Sequence, residues 1–400
     1  MEMAVPELNG IVAIAEAAKS TKGSLDAGTR IRALRAAQSL VEALSPPLET
    51  AVHDISVHLA VPLALRMGVQ LGVFTAVRDH KSEGITTQEI AEKARASSLV
   101  VDQVLKVLVA TGYVLETGVQ LYKPSELTVV MADPVMEAAT RATFDIGHPC
   151  VTYAPEYFRR NGNQFPASIT DTPFQLAKNT SLSYFDWLHE NPSLSQDFQL
   201  FMTIRQQKAS NWVDWFDVKN TILDGFEQAK NGGVLLVDVG GGEGHYIHAF
   251  NRKFPPADVR GCRVLQDLPH VVSNITNPPE STELMAQDLF QPQPVKGARV
   301  YYLHWILHDW ADEEARKILE IIVDAMEPGY SRLVINDNIV TDQGCEYAVA
   351  CLNLLMTVQV GSRERTESQW RELLGSVGLT EMSFHQPPAD GEGIIVAVKS

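Results

Sequence analysis

The sequence predicts an α/β protein in which a doubly wound, mainly parallel sheet follows a mostly helical domain. Two observations predict this class. From residue 234 onward, apolar β-branched runs alternate with amphipathic stretches, as in strands joined by crossover helices. Before residue 220, apolar side chains recur mainly at helical spacing. The predicted strands cover residues 234–239, 262–266, 299–303, 332–336 and 393–398.

Composition limits the classes of function. The chain has 400 residues, 45% hydrophobic and 20% charged, which is typical of a globular protein with a large core. Its net charge of −16 argues against nucleic acid or an anionic membrane as a main partner. We find neither a membrane-spanning run nor the basic and apolar regions of a secretion signal. We therefore expect a cytoplasmic protein, with its four cysteines as free thiols.

Residues 1–48 are interpreted as an N-terminal helical arm. The helical pattern runs from about residue 7 to 45, with a break at Gly23–Gly28 and a stop at Pro46-Pro47. Its apolar stripe must pack against another surface. The sequence favours neither of two possibilities, packing on the arm's own domain or contact with a second subunit.

Residues 49–135 contain a helix pair followed by a hairpin. Thr86 and Glu89 have the spacing of a capping box, and a second helix covers residues 98–111. Two short strands follow near residues 113–116 and 120–122, which completes a winged-helix pattern. The second helix carries one Lys106 and one Asp102 among apolar residues, whereas DNA-reading helices need several phosphate contacts. We therefore predict a homodimerisation module.

Residues 136–220 are interpreted as a helical linker and substrate lid. Aromatic side chains are dense between residues 140 and 216. Most of them build core, but a pocket for a flat organic substrate also needs aromatic walls. Trp187, Phe198 and Met202 are the candidate substrate contacts.

Residues 221–400, the predicted Rossmann-like domain, begin with a glycine-rich turn. The strand Val234–Val239 carries a single acid, Asp238, and a helix begins near Tyr246. A helix N-terminus that opens onto a glycine turn suits a nucleotide-like ligand, although an ordinary turn can look the same. The turn consists of Gly240, Gly241, Gly242 and Gly244.

Two acids after the turn extend this interpretation. Asp267, next to Leu268, ends the following strand about 25 residues on, where an acid accepts hydrogen bonds from ribose hydroxyls. Asp288, next to Leu289, suits the edge of an adenine. The glycine spacing and the C-terminal position of the domain fit S-adenosylmethionine (SAM) better than NAD or FAD.

The candidate general base is His308. It follows the predicted strand 299–303 and precedes a helix, so it should lie at the ligand side of the sheet. Asp337 and Glu364 also occupy strand-end or loop positions, and a carboxylate bonded to one ring nitrogen raises the basicity of the other. For a lone histidine, a structural role at the helix start would be the better interpretation.

Five motifs in order carry a resemblance to a known family. They are Leu-Val-Asp-Val-Gly-Gly-Gly-Glu-Gly, Gln-Asp-Leu-Pro, Asp-Leu-Phe, Leu-His-Asp-Trp and Arg-Glu-Arg-Thr-Glu. From about residue 50 to 400 the chain resembles plant- and fungal-type SAM-dependent O-methyltransferases, which carry a winged-helix dimerisation domain. The resemblance implies that His308 is the catalytic base between Asp337 and Glu364, and that Trp310 lies beside SAM. Two positions depart from the family, which usually has Glu at Asp337 and often Lys at His304.

The expected reaction is methyl transfer from SAM to a hydroxyl of an aromatic or enolic natural product, without a metal. One alternative is an enzyme of the same fold, a pericyclase or dehydratase, that holds SAM without transferring its methyl group. A second is a winged-helix regulator that senses SAM. The sequence does not identify the substrate.

Overall fold

The computed structural model describes residues 14, 17–18, 26–208, 211–388 and 391–400. The helix predicted before Gly23 therefore lies largely outside the described residues. The chain divides into two compact units, Met1–Val61 and Pro62–Ser400.

The first unit contains α1 (Ala27–Leu44) and α2 (Pro47–Ile55). The side chain of Asp26 caps α1 by accepting a hydrogen bond from the Thr29 N–H at 2.9 Å. The proline pair at 46–47 separates the two helices, as predicted. Leu48, Val52 and Ile55 share one face of α2 and are exposed, at 76%, 43% and 75% of their surface. An apolar stripe of this kind is typical of a surface that another chain covers.

The second unit begins with a small helical domain. Its helices are α3 (Ala60–Gln70), α4 (Val73–Asp79), α5 (Thr87–Ala94) and α6 (Ser98–Ala110). The predicted capping box is present, with reciprocal bonds between Thr86 and Glu89. Strands β1 (Ile85–Thr86), β2 (Val114–Gly118) and β3 (Leu121–Pro124) form an antiparallel sheet in the order β1-β3-β2. The helix pair and the hairpin therefore follow one another as the sequence predicts.

The next segment is helical, as predicted. It comprises α7 (Glu126–Met131), α8 (Pro134–Ala142), α9 (His148–Arg160), α10 (Pro173–Lys178), α11 (Tyr184–Glu190), α12 (Pro192–Lys208) and α13 (Trp212–Trp215). A wide π turn, Thr143–Gly147, joins α8 to α9 without a break in the helical path.

The C-terminal half alternates strands and helices, which confirms the predicted fold class. Its strands are β4 (Val234–Val239), β5 (Cys262–Asp267), β6 (Thr282–Ala286), β7 (Val300–His304), β8 (Arg332–Asp337), β9 (Ile339–Val340), β10 (Arg365–Thr366), β11 (Leu379–His385) and β12 (Gly393–Lys399). Its helices are α14 (His245–Lys253), α15 (Pro269–Val272), α16 (Asp312–Ala325), α17 (Tyr347–Val360) and α18 (Glu367–Ser376).

Seven of these strands form one sheet in the order β11-β12-β8-β7-β4-β5-β6. The five strands from β8 to β6 are parallel, while β11 and β12 are antiparallel to their neighbours. The chain order reverses at β4, which pairs with both β5 and β7. In sheets of this type a crevice opens at that point, outside the carboxyl ends of the strands.

Two apolar cores hold the sheet between its helices. Val237 on β4 packs in one core with α16 and α18, and Leu236 packs in the other with α13 and α14. Strand side chains point alternately to opposite faces, so a strand buried on both faces must be apolar at nearly every position. The lone acid in β4, Asp238, is therefore costly, and its position has to be explained by the site.

Strands β6 and β11 were missed in the sequence. Both lie at the edges of the sheet, and in β6 none of the side chains is fully buried. An edge strand with one solvated face needs no continuous apolar run, so it lacks the pattern by which the central strands are recognised.

Among the described residues, no single helix is long and apolar enough to cross a membrane. One bent pair, Pro47–Gln70 with Val73–Asp79, meets the criterion by length and composition only.

The exposed stripe on α2 yields a first prediction. If Leu48 and Ile55 contact a second subunit, replacing both with glutamate should weaken the dimer at least about tenfold, because two charges would lose water on association. Light scattering coupled to gel filtration measures the mass across a dilution series.

Val119→Glu is the matched control, since Val119 is 97% exposed at the tip of the β2–β3 hairpin. Unchanged dimer mass in the Leu48→Glu/Ile55→Glu variant at every concentration would rule out the stripe as a subunit contact.

Candidate active site

The glycine turn after β4 has a backbone that few other residues could adopt. Gly240 has φ 74° and Gly242 has φ 57°, both in the left-handed region. A Cβ on Gly240 would lie 2.5 Å from Cδ1 of Ile306, so a side chain would also collide with the loop after β7. The N–H groups of Gly240 and Gly241 both donate to the carbonyl of Gln266 on β5. Gly244 then caps α14.

Asp238 lies at the turn and is 1% exposed. Neither carboxylate oxygen has a hydrogen-bond partner in the described part of the chain. Burial, and then the nearby Asp267, raise the pKa of Asp238 to about 8. Because Asp238 lines the main cavity, it is suited to a ligand that brings a cationic hydrogen-bond donor.

Asp267, at the end of β5, fixes the turn from the other side. Its carboxylate accepts hydrogen bonds from the N–H of Gly242 at 2.8 Å and of Leu268 at 2.7 Å. Burial raises its pKa, which these two bonds oppose. Each oxygen keeps a second lone pair for another donor.

Only some of the predicted cofactor residues line the main cavity. Asp288 accepts a hydrogen bond from the Phe290 N–H at 3.0 Å, and Leu289 packs against the core. The Trp310 ring meets Phe290 edge-on, with 4.8 Å between the ring centroids. The predicted cofactor residues that line the main cavity are Asp238, Gly240, Gly241, Gly242 and His304. Those that do not are Gly244, Asp267, Leu268, Asp288, Leu289 and Trp310.

His304 ends β7 inside a stack of rings. Its Nε2 lies 2.8 Å from the Tyr246 hydroxyl, and its ring centroid is 4.1 Å from that of Tyr246 and 4.5 Å from that of Trp305. The family that this chain resembles often has a flexible lysine at this position. In this chain the position carries the His304 ring, which packs between Tyr246 and Trp305.

The three predicted catalytic side chains lie together. His308 is 7% exposed in the short turn after β7, Asp337 ends β8, and Glu364 precedes β10. The distance from His308 Nδ1 is 3.0 Å to Glu364 Oε1 and 3.6 Å to Asp337 Oδ1. A carboxylate at hydrogen-bond distance assigns the ring proton to Nδ1, which leaves Nε2 as the basic nitrogen.

Asp309 was missed in the sequence, although it is the neighbour of His308. Its Oδ1 lies 3.6 Å from His308 Nε2, and both residues line the cavity. Burial raises the pKa of Asp309 to about 6 and that of Asp337 to about 7. Burial alone would lower the pKa of His308, but attraction to the surrounding carboxylates outweighs it and raises that pKa to about 10.

A buried arginine fixes the turn that carries His308. Arg365 is 1% exposed and donates to the carbonyl oxygens of Leu307 at 2.7 Å and Trp310 at 2.8 Å. Its Nε donates to Asp312 at 3.0 Å, and the Ser362 hydroxyl donates to the His308 carbonyl. The segment that supplies Glu364 therefore also holds both ends of the histidine turn.

The same side chains could hold a cation. Ligand atoms of His308, Asp337 and Glu364 all lie within 4.8 Å of one another. The 3.0 Å contact between His308 and Glu364 has the length of a hydrogen bond.

A cavity of about 450 Å³ connects the glycine turn to His308. Of the three candidate substrate contacts, Phe198 and Met202 line the cavity, but Trp187 does not. Trp187 packs edge-on against Phe174 at 5.5 Å, and the Lys178 ammonium lies 5.0 Å from its ring centroid. Further residues that line the cavity, and that no sequence pattern singled out as contacts, include Thr143, His148, Val151, Phe185, Phe201, Tyr246, Leu352, Leu355, Met356 and Gln359.

Two family models match the chain. The O-methyltransferase domain matches residues 201–380, and the O-methyltransferase dimerisation domain matches residues 54–133. Among curated relatives, O-methyltransferase asqD of Emericella nidulans is 35% identical over 84% of this chain and 86% of its own. Demethylsterigmatocystin 6-O-methyltransferase of Aspergillus parasiticus is 32% identical over 83% and 84%.

Solved structures agree on the fold. The structure of LepI in complex with SAM has a TM-score of 0.87 and 27% identity, and the match covers 98% of this chain and 100% of that one. A structure described as a pericyclic reaction enzyme has a TM-score of 0.85 at the same identity and coverage. From its two matching domains and its relatives over most of their length, the chain belongs to the O-methyltransferase family.

Proposed function

We propose that this chain transfers the methyl group of SAM to a hydroxyl of an aromatic or enolic natural product, with His308 as the general base. One observation carries the proposal. On one side the cavity has the glycine turn and the buried Asp238, whose carboxylate has no hydrogen-bond partner among the described residues. On another side it has the imidazole of His308, held by Glu364.

The residues at the glycine turn fit SAM. When bound, SAM supplies an electrophilic methyl group on a sulfonium cation. The carboxylate of Asp238 would accept a hydrogen bond from the ammonium of its amino-acid end, beside the turn formed by Gly240, Gly241 and Gly242. Asp267 with Leu268 would hold the ribose, and Asp288 with Leu289 the adenine, since both pairs follow neighbouring parallel strands.

His304 and Trp310 remain candidate SAM contacts for different reasons. His304 lines the cavity next to Tyr246, whereas Trp310 adjoins the turn of His308.

His308 would remove the proton from the acceptor hydroxyl. With Nδ1–H donated to Glu364, the Nε2 lone pair is free to accept that proton. The carboxylates of Asp337 and Glu364 then stabilise the imidazolium. A positioned general base typically accelerates a reaction by a factor of about 10²–10⁴.

The high pKa of His308 must fall before the ring can act. At a pKa of about 10, the imidazole is charged at neutral pH. A positive sulfonium in the same cavity disfavours a second positive charge nearby, so it lowers the pKa of His308. The donor would thus convert the histidine into a base only in the complex.

The substrate side of the cavity favours a flat apolar molecule. Phe198 and Met202 would contact it directly, and Trp187 would support the wall from behind through Phe174.

The N-terminal part would serve assembly. A family model for dimerisation covers residues 54–133, and α6 buries Val101, Leu105 and Leu108 in its own domain. We propose a winged-helix module in a cytoplasmic homodimer, and not a DNA-binding regulator.

A pericyclase or dehydratase that keeps the methyl group of SAM is the alternative, and the described pericyclic reaction enzyme has a closely similar fold. Removal of a proton from a hydroxyl needs a base. The presence of His308, held between Asp337 and Glu364, therefore favours methyl transfer over the alternative.

Incubation with methyl-labelled SAM and a panel of phenolic metabolites tests the proposal. We expect S-adenosylhomocysteine (SAH) and methylated product in equal amounts, measured by mass spectrometry. Product that forms without SAH would establish the alternative.

The base assignment predicts the effect of His308→Asn. Turnover should fall at least about a hundredfold because the amide of Asn is not a base. The Kd for SAH, measured by calorimetry, should change less than about threefold, since Asn keeps a polar group of similar size and the sulfur of SAH carries no charge. His189→Asn, on the exposed end of α11, is the control and should match the wild type. Near-normal turnover of His308→Asn would refute the assignment.

A further inference from the structure

Two polar side chains of the cavity have no part in the proposed reaction. His148 begins α9, and Gln359 lies near the end of α17. Both line the cavity, and within the described residues neither side chain makes a hydrogen bond. Their neighbours in the wall are apolar, among them Val151, Phe201 and Met356. A polar group on such a wall has an unmet hydrogen-bonding capacity when a ligand displaces water.

The two side chains belong to the same section of the wall. A Cβ on Gly147, the residue before His148, would lie 3.8 Å from both Oε1 and Nε2 of Gln359. The Gln359 amide therefore lies against the backbone that leads into His148. His148 and Gln359 are therefore neighbours in the lining of one cavity.

The π turn Thr143–Gly147 accounts for the placement of His148. A π turn adds a residue to a helical path and rotates all that follows, and such turns are frequent at functional sites. This one is held from outside the cavity. Arg66 forms a two-pronged ion pair with Asp145 at 2.9 and 3.0 Å, and Lys178 donates to the Asp145 carbonyl at 2.6 Å.

The chemistry of the pair selects an uncharged partner. The His148 ring stacks on Phe144 with 4.4 Å between centroids, and burial lowers its pKa, so the ring is neutral at pH 7. A neutral imidazole offers one donor and one acceptor, and the Gln359 amide offers two donors and one acceptor. Carbonyl and hydroxyl oxygens satisfy such groups.

We propose that His148 and Gln359 form a subsite for an uncharged carbonyl or hydroxyl group of the substrate, distinct from the hydroxyl that is methylated. The inference rests on the proposed function and specifies its substrate class. The acceptor is a planar phenol or enol that carries a second oxygen function, such as a hydroxylated quinone or aryl ketone. A phenol without a second oxygen group would not satisfy the subsite. A site built to bond an oxygen rejects the analogue that lacks it, because its own polar groups then stay unpaired.

Two probes of the same ring frame test the subsite, namely 2-hydroxyanthraquinone and 2-hydroxyanthracene. Calorimetry on the full-length, SAH-saturated protein measures both Kd values. We expect the wild type to bind the quinone at least about tenfold more tightly. The near-isosteric variants Gln359→Leu and His148→Phe should reduce that preference to less than about threefold, while their Kd for SAH stays unchanged, which shows that they are folded. Gln164→Leu, at an exposed position, is the matched control.

Equal binding of the two probes by the wild type, binding of neither, or an undiminished preference in both variants would overturn the subsite. The readout is binding, so it is separate from the test of methyl transfer. His308→Asn should keep the preference for the quinone while it loses turnover. A preference for the quinone in a protein that methylates no phenol would leave the subsite standing and reject the proposed function.

Discussion

The site depends on the burial of one imidazole among three carboxylates. His308 lies within 3.6 Å of oxygens from Asp309, Asp337 and Glu364, and little water reaches the group. Buried carboxylates repel one another and are costly to charge, which raises the pKa values of Asp309 and Asp337. One imidazolium does not balance three carboxylates. A further cation in the cavity is therefore electrostatically favourable, and the donor proposed for this enzyme has one at its reacting centre.

The fold brings these groups together through the register of parallel strands. The pairs His304–Asn336 and Tyr302–Asp238 align the carboxyl ends of β7, β8 and β4 at one edge of the sheet. Arg365 and Ser362 then bond the turn of His308 from the segment that supplies Glu364. The sheet brings Asp337 to 3.6 Å from the imidazole of His308, and the segment before β10 brings Glu364 to 3.0 Å.

Residues with a strong local signal could be predicted from the sequence. Asp238, the glycine turn, His308 and Asp337 lie in or just after buried strands, whose apolar runs are easily recognised, whereas Glu364 lies in the motif Arg-Glu-Arg-Thr-Glu before β10. Strands β6 and β11 could not be predicted from the sequence, because edge strands lack such runs. Trp187 does not line the cavity, since aromatic composition does not say which face of a short helix turns inward. His148 and Gln359 depend on a π turn and a distant helix, neither of which has a sequence signature, and Asp309 was overlooked although it lies in the motif Leu-His-Asp-Trp.

The protonation state of His308 is the most direct test of the central claim that donor charge makes this histidine a base. Calorimetry at pH 8 in buffers of different ionisation enthalpy counts the protons released on binding. Without ligand the ring is charged, because its pKa of about 10 lies above this pH. SAM should lower that pKa below 8 and release about one proton more than SAH, whose sulfur is neutral. The difference should vanish in His308→Asn. Equal proton release with SAM and SAH in the wild type would contradict the account.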